Sequence, residues 1–203
     1  MLDVGGGKGI VRDQIEAHTA WTVDLVELNQ AALESAAPGR GRHLFYDVRD
    51  QRADLLGTYD AAVLFDVIEH VEEPRALLDA VGRHLKPGGL LLVNVPALQS
   101  LFSAFDTAAG HYRRYDRTTL SAELSGWDVL DLRYWGLALV PMLWLRKLLL
   151  RDPTEDTIRR GFGPQGVFTR RCLRALAAVE TALLPKAPVG TSLLLVARCP
   201  SAA

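Results

Sequence analysis

Two histidines and a pair of arginines stand in short polar stretches between the apolar runs of the chain. His111 lies within Asp106-Thr107-Ala108-Ala109-Gly110-His111-Tyr112-Arg113-Arg114-Tyr115, and His70 closes Phe65-Asp66-Val67-Ile68-Glu69-His70. A histidine accepts a proton near neutral pH, so either can act as a base toward a hydroxyl. Arg113 or Arg114 can orient a carboxylate or phosphate, with Tyr112 and Tyr115 beside them as further substrate contacts. The competing reading makes Asp106 and the arginines an ion-paired brace over packed tyrosines, and gives His70 a place in a pocket wall. His18, His43, His70, His84 and His111 show no metal-ligand spacing with one another or with Cys172 and Cys199, so no metal is expected.

Such groups act on a molecule only if something holds it beside them, and the chain opens on a segment suited to that task. Leu2-Asp3-Val4-Gly5-Gly6-Gly7-Lys8-Gly9 is an apolar strand end running into a glycine turn, and Ile10 to His18 has helical character. Gly5, Gly7 and Gly9 permit backbone angles and close ligand approach that a Cβ obstructs, and the free N–H groups of the helix start face whatever fills the turn. A phosphate-binding P-loop fits poorly, because Gly9 and Ile10 follow Lys8 where a hydroxyl residue is needed for magnesium. A dinucleotide fingerprint needs a small residue where Ile10 stands. The compact Gly5-x-Gly7-x-Gly9 pattern fits S-adenosylmethionine better. Trp21-Thr22-Val23-Asp24-Leu25-Val26 reads as a buried strand ending at Glu27, 18 residues beyond Gly9, with a helix from Asn29 to Ala36. A carboxylate there can accept from both hydroxyls of a ribose; the alternatives are a solvated Glu27 at the helix start, or Asp24, which sits mid-strand.

With these motifs in order, the chain resembles the class I S-adenosylmethionine-dependent methyltransferases over most of its length. His43-Leu44-Phe45-Tyr46-Asp47-Val48 resembles the third strand of that family, and Tyr59 to Val71 its fourth strand and loop in the form of the small-molecule branch. Leu85-Lys86-Pro87-Gly88-Gly89-Leu90-Leu91-Leu92-Val93-Asn94-Val95-Pro96 resembles its fifth strand with a Pro-Gly-Gly turn. The His111 stretch resembles a Gly-His-x-Arg-x-Tyr loop of bacterial members, including ones of quinone, lipid or glycan-related metabolism. The resemblance implies an α/β, Rossmann-like doubly wound sheet of seven strands in order 3-2-1-4-5-7-6, the seventh antiparallel, with helices on both faces. It implies S-adenosylmethionine as cofactor and S-adenosylhomocysteine as product, bound by Asp3, Gly5, Gly7, Gly9, Glu27, Leu28, Asp47 with Val48, and Phe65 with Asp66. Asp47 would meet the adenine amino group, and a small-molecule acceptor would lie under the His111 loop. Met1 falls inside the first strand, so the cap that precedes this strand in the family is expected to be missing.

Composition agrees with one enzyme domain over residues 1–203, with a cofactor half at 1–98, a substrate-side half with a helical insertion at 99–188, and a final strand at 189–199. A net charge of −1 gives no electrostatic case for nucleic acid. Two cysteines are too few for a disulfide framework, which favours a reducing cytoplasm. Alternating strand and helix signals imply parallel strands with crossover helices, one of them on the stripe Leu77, Leu78, Val81 and Leu85. Trp127 to Tyr134 and Thr191 to Arg198 read as later strands.

Residues 137–150 are strongly apolar yet shorter than the ~20 residues that span a bilayer, and Pro141, Arg146 and Lys147 interrupt them. A helix packed over the sheet is the preferred reading, with peripheral membrane contact, a substrate roof or a dimer surface as alternatives; the protein is then a monomer or homodimer. Arg151 to Gly166 reads as a mobile connection that orders when substrate binds, and Val167 to Leu184 as a helix with Arg170, Arg171 and Arg174 near its start. The expected function is methyl transfer to a small, lipidic or anionic acceptor. The alternatives are a noncatalytic scaffold of this fold and, more remotely, a nicotinamide-dependent oxidoreductase.

Overall fold

The computed structural model describes residues 1–149, 166–184 and 186–200. Seven strands form one sheet: β1 (Leu2–Val4), β2 (Asp24–Glu27), β3 (His43–Phe45), β4 (Tyr59–Phe65), β5 (Leu85–Pro96), β6 (Asp128–Trp135) and β7 (Ser192–Arg198). Their order is β3-β2-β1-β4-β5-β7-β6, with β7 antiparallel to both neighbours. The expected topology is thus present. β1 is short but central, and Leu2 pairs with Asp24 on one side and Ala62 on the other. The apolar runs of β4 and β5 follow from burial on both faces, where a parallel sheet leaves no solvated side.

Among the described residues the α-helices are α1 (Ile10–His18), α2 (Gln30–Ser35), α3 (Pro74–His84), α4 (Ala104–Ala108), α5 (Arg117–Glu123), α6 (Val140–Leu149) and α7 (Val167–Leu183). α3 starts on Pro74, whose missing N–H costs nothing at a first turn, and buries Leu77, Leu78, Ala80, Val81 and His84 against the sheet. α5 is started by Asp116, whose carboxylate accepts from the Thr119 amide while the Thr119 hydroxyl accepts from the Asp116 amide. Inside β5 the register jumps from Tyr59↔Leu85 to Ala61↔Leu90, so Lys86-Pro87-Gly88-Gly89 is looped out within the strand.

Three expectations need correction. Trp21 is 56% exposed and outside β2, which begins only at Asp24. The third strand stops at Phe45, because a one-turn helix starts at Val48 with Asp47 as its cap. The apolar segment from 137 is not packed into the core, since α6 buries none of its residues and Leu145, Leu148 and Leu149 stand exposed. The expected mobile connection at 151–165 lies outside the described residues.

The core also holds a polar chain. His84 Nδ1 donates to the Ala80 carbonyl, which leaves Nε2 to accept from the Tyr46 hydroxyl, and that hydroxyl in turn accepts from the Arg52 amide. Tyr46→Phe strands a buried ring nitrogen and an amide, so it is expected to lower stability by about 1–3 kcal/mol. Urea unfolding with an unchanged slope and an earlier midpoint would bear this out; an unmoved midpoint would show that water replaces the phenol.

Candidate functional site

At the carboxyl end of β1 the chain turns through Gly5, Gly7 and Gly9, all at positive φ, into α1. Gly5 and Gly6 both donate to the Val26 carbonyl of β2, at 2.8 and 3.3 Å. Glu27, at the end of β2, accepts from the Gly7 amide at 2.8 Å and from the Asn29 amide at 2.7 Å. One carboxylate therefore ties the turn to the start of α2. Gly6 is at ordinary φ, yet among the glycines of this turn it has the least room: a Cβ there would strike Leu25 and meet Asp3 Oδ2 at 2.5 Å. Asp3 is buried beneath the turn and accepts the Arg12 amide at 3.2 Å.

A cavity of about 350 Å³ opens beside this turn. Of the residues expected to bind cofactor, Gly5, Glu27, Leu28, Asp47, Val48 and Asp66 line it, whereas Asp3, Gly7, Gly9 and Phe65 do not. Asp3 and Gly7 instead support the wall, through the Arg12 amide and through Glu27. A Cβ on Gly5 would come within 2.8 Å of Val67, so glycine keeps the floor of the cleft open. Asp47 is engaged by the Arg49 guanidinium, which holds its carboxyl below the usual range. Asp66 has φ +56°, a rare conformation for a side-chain-bearing residue, and is fixed there by Asn94, whose amide donates to Oδ1 at 2.9 Å.

His70 also lines the cleft and marks its boundary with the second cluster. The rings of His70 and His111 meet edge to face with centroids 4.6 Å apart. His111 Nδ1 lies 3.2 Å from Asp106 Oδ1, which also accepts Arg114 Nε at 2.7 Å. Burial alone would raise the Asp106 carboxyl; the Arg114 bond and charge and the Ser103 bonds outweigh it and hold the group below its usual range. Burial and the neighbouring His111 push His70 below its usual range, although part of that residue is open to solvent.

Arg114 is nearly buried and committed to Asp106 and the Ala97 carbonyl, and Tyr115 is buried under the loop, so both brace it. Arg113 donates to the Glu72 carbonyl at 2.9 Å, and Tyr112 is 55% exposed. Sequence reasoning missed Glu69. It is fully buried, both carboxylate oxygens lack a hydrogen-bond partner among the described residues, and burial pushes its carboxyl up to about 8. One ligand atom each of Glu69, His70 and His111 fall within 4.8 Å of one another, a set that could hold a divalent cation. Spacing along the chain does not show this grouping, because the loop after β4 and the loop before α5 converge only in the fold.

The methyltransferase-domain family matches residues 1–132. A ubiquinone biosynthesis O-methyltransferase of Xylella fastidiosa (strain M23) is 28% identical over 175 residues, which are 78% of this chain and 69% of that protein. The first curated relatives are matched over only 40–41% of their own length. Two solved structures share the fold: an S-adenosylmethionine-dependent methyltransferase from Mesorhizobium loti (TM-score 0.61, 18% identity, 97% of this chain and 89% of that one) and the [4+2]-cyclase SpnF (TM-score 0.62, 18% identity, 99% and 75%).

Burial pushes the Asp3 carboxyl up to about 6, against the opposing pull of the Arg12 amide. Unfolded, this group ionises near 3.8; folded, it keeps its proton to about 6. The folded state therefore binds more protons in that window, and stability falls as pH rises through it, by about 3 kcal/mol once both forms are ionised. Asp3→Asn keeps an acceptor for the Arg12 amide without the charge. It is expected to flatten that decline and raise stability at pH 8, which urea titrations at pH 4, 6 and 8 would read; an unchanged decline would remove Asp3 as its source.

Proposed function

Because the chain belongs to the class I S-adenosylmethionine-dependent methyltransferases, we propose that it methylates an oxygen of a small-molecule acceptor held between the cofactor cleft and the His111 loop. The observation that carries this reading is the Asp106–His111 pair, which abuts His70 at the rim of the cleft that Gly5 and Glu27 open. The O-methyltransferase names of the relatives support an oxygen acceptor.

The cleft suits the cofactor: it is glycine-floored, carries an acid at the end of β2 and widens to about 350 Å³. S-adenosylmethionine supplies an already activated methyl group, so the protein has chiefly to align the acceptor and remove its proton. Glu27 would accept from the ribose hydroxyls, and Asp47 would take the adenine amino group once Arg49 shares its carboxylate. With Asp106 ionised, its contact places the His111 hydrogen on Nδ1 and leaves Nε2 to take the acceptor hydroxyl proton. Once His111 Nε2 holds that proton, the acceptor oxygen would be free to take the methyl group that the bound donor supplies, with S-adenosylhomocysteine as the product. Arg113, the arginine less enclosed by the loop, would meet an anionic group on the acceptor. Two cysteines, too few for a disulfide framework, support a cytoplasmic location.

A second reading of the acceptor end is favoured by Glu69, whose buried carboxyl lacks a hydrogen-bond partner among the described residues and lies beside two histidines. Here a divalent cation on Glu69, His70 and His111 would lower the acceptor hydroxyl pKa, and His111 would not act as a base. Chelation separates the two: loss of turnover restored by Mg²⁺, Mn²⁺ or Zn²⁺ selects the cation, and indifference selects the dyad.

Calorimetric titration is expected to show binding of S-adenosylmethionine and S-adenosylhomocysteine but not NAD. Failure of all three would favour the scaffold reading, and preference for NAD the oxidoreductase. Glu27→Ala is expected to weaken cofactor binding by about 1.5–3 kcal/mol; unchanged affinity in the folded variant would end the ribose assignment. His111→Ala should spare cofactor affinity and lower kcat roughly 10²–10⁴-fold, with Asp106→Asn lowering kcat more than it alters KM. Full turnover in both would leave the loop as a brace only.

A further inference from the structure

The acids that line the cofactor cleft are not held alike. Asp47 is taken by the Arg49 guanidinium, and Glu27 by the amides of Gly7 and Asn29. Asp66 gives Oδ1 to the Asn94 amide, while Oδ2 has neither a hydrogen-bond donor nor a cationic side chain among the described residues, and the residue stands exposed. It directly follows β4, and His70 and His111 lie near enough to act on its charge. Asp66 is therefore a half-free carboxylate where the cofactor cleft meets the His111 loop.

Its orientation is fixed from β5. The Asn94 carbonyl accepts the Asp66 amide at 2.9 Å, and the Asn94 side chain donates to Asp66 Oδ1, also at 2.9 Å, so one residue grips Asp66 at backbone and side chain. That double grip holds Asp66 at positive φ with Oδ2 turned to the cleft. The direction of the Asn94 amide is decided in turn by Trp135, which reaches across β7 from β6 and donates its indole to Asn94 Oδ1 at 2.8 Å. An indole nitrogen can only donate, so the amide must show it oxygen and must show Asp66 its NH₂. Turned the other way, the amide would set two acceptors against each other, and Asp66 would swing aside. Asn94 is almost buried, which keeps water from taking either place cheaply.

We infer that Asn94 and Trp135 are positioning residues that aim the free Asp66 oxygen at the positive sulfonium of the donor, and so set the preference of the cleft for S-adenosylmethionine over S-adenosylhomocysteine. The two ligands share an ammonium and a carboxylate and differ in that one charge. The inference rests on the cofactor alone and is independent of which group takes the acceptor proton. Trp135, 41 residues from Asn94 in the chain, thereby joins the far edge of the sheet to the place where the methyl group is presented.

Calorimetric titration with S-adenosylmethionine, S-adenosylhomocysteine and sinefungin, which carries an ammonium in place of the sulfonium, tests this. Asp66→Asn keeps a residue type that tolerates positive φ. It is expected to lower the ratio of the S-adenosylhomocysteine Kd to the S-adenosylmethionine Kd about five- to tenfold, with sinefungin following S-adenosylmethionine. Asn94→Ala should lower the ratio nearly as far, and Trp135→Phe, which keeps a ring and removes only the donor, roughly two- to fourfold. If Asn94→Ala does not fold, Trp135→Phe reads the same effect. Equal weakening of all three ligands in Asp66→Asn would place its carboxylate on the shared ammonium and overturn the inference. A ratio that falls in Asp66→Asn but stays in Asn94→Ala and Trp135→Phe would overturn the positioning role. Failure of the unaltered protein to bind any of the three would overturn the inference together with the methyl-transfer reading.

Discussion

Beneath the turn that follows β1, a carboxyl group whose ionisation burial opposes is held against backbone that has no room for a Cβ. Asp3 and Gly6 are in this contact, and most of the cofactor end depends on it. If Gly6 carried a side chain, the turn would have to rise away from Asp3. The Gly5 and Gly6 amides would then leave the Val26 carbonyl, and the Gly7 amide would leave Glu27. The acid proposed for the ribose and the glycine floor of the cleft are thus one hydrogen-bonded unit. Ligand-free stability is given up at Asp3 so that the turn can sit low enough to admit a ligand, a trade common where backbone approaches a substrate closely.

The acceptor end has its own organising group. Asp106 starts α4 by accepting the Ser103 amide and hydroxyl, holds Arg114 and orients His111. A carboxylate already saturated by a guanidinium and a helix start is well suited to fix a ring without taking its proton, because these partners favour its ionised form. The same saturation explains why Arg114, conspicuous in the sequence, is not free to meet a substrate while Arg113 is less enclosed. The T-shaped meeting of His111 with His70 joins the two ends of the site, and any change in the loop's seating on Pro96 would be felt at the cofactor cleft.

Much of the fold was legible in the residue pattern. The Ile10–His18 helix and the Leu85–Pro96 strand have their expected bounds, because glycines, Thr19 and the apolar run mark their ends clearly. The strand before Glu27 starts three residues later than its residue types suggest, since Trp21-Thr22-Val23 is strand-like and only the sheet decides where pairing begins. The glycine pattern does not single out Gly6, because such a pattern signals positive φ, whereas Gly6 is required by space alone. Glu69 and the His70–His111 contact depend on two distant loops meeting, which no local period encodes. The 137–149 segment shows the opposite failure: its hydrophobicity was plain, but hydrophobicity does not say what covers it.

That last element bears on how the two halves can behave. The main core gathers side chains from β1, β4, β5, β7, α3 and α5, and among the described residues neither α6 nor α7 adds a buried one to it. α6 is fastened by side chains: Arg146 lies over the Phe105 ring at 4.3 Å, and Lys147 donates to the Ser100 carbonyl at 2.6 Å. α7 is pinned through Glu180. Such attachments contribute a few kcal/mol at most, against the many buried contacts that hold the cofactor half, so local opening belongs to the low end of the stability range there. Packing of this kind places the methyl-donor cleft in the better-packed half and leaves α6 and α7 among the parts that open most cheaply. Alignment of a small carbon with an acceptor atom demands rigidity where the donor is held, while entry of any acceptor is easiest where the wall is the part that yields.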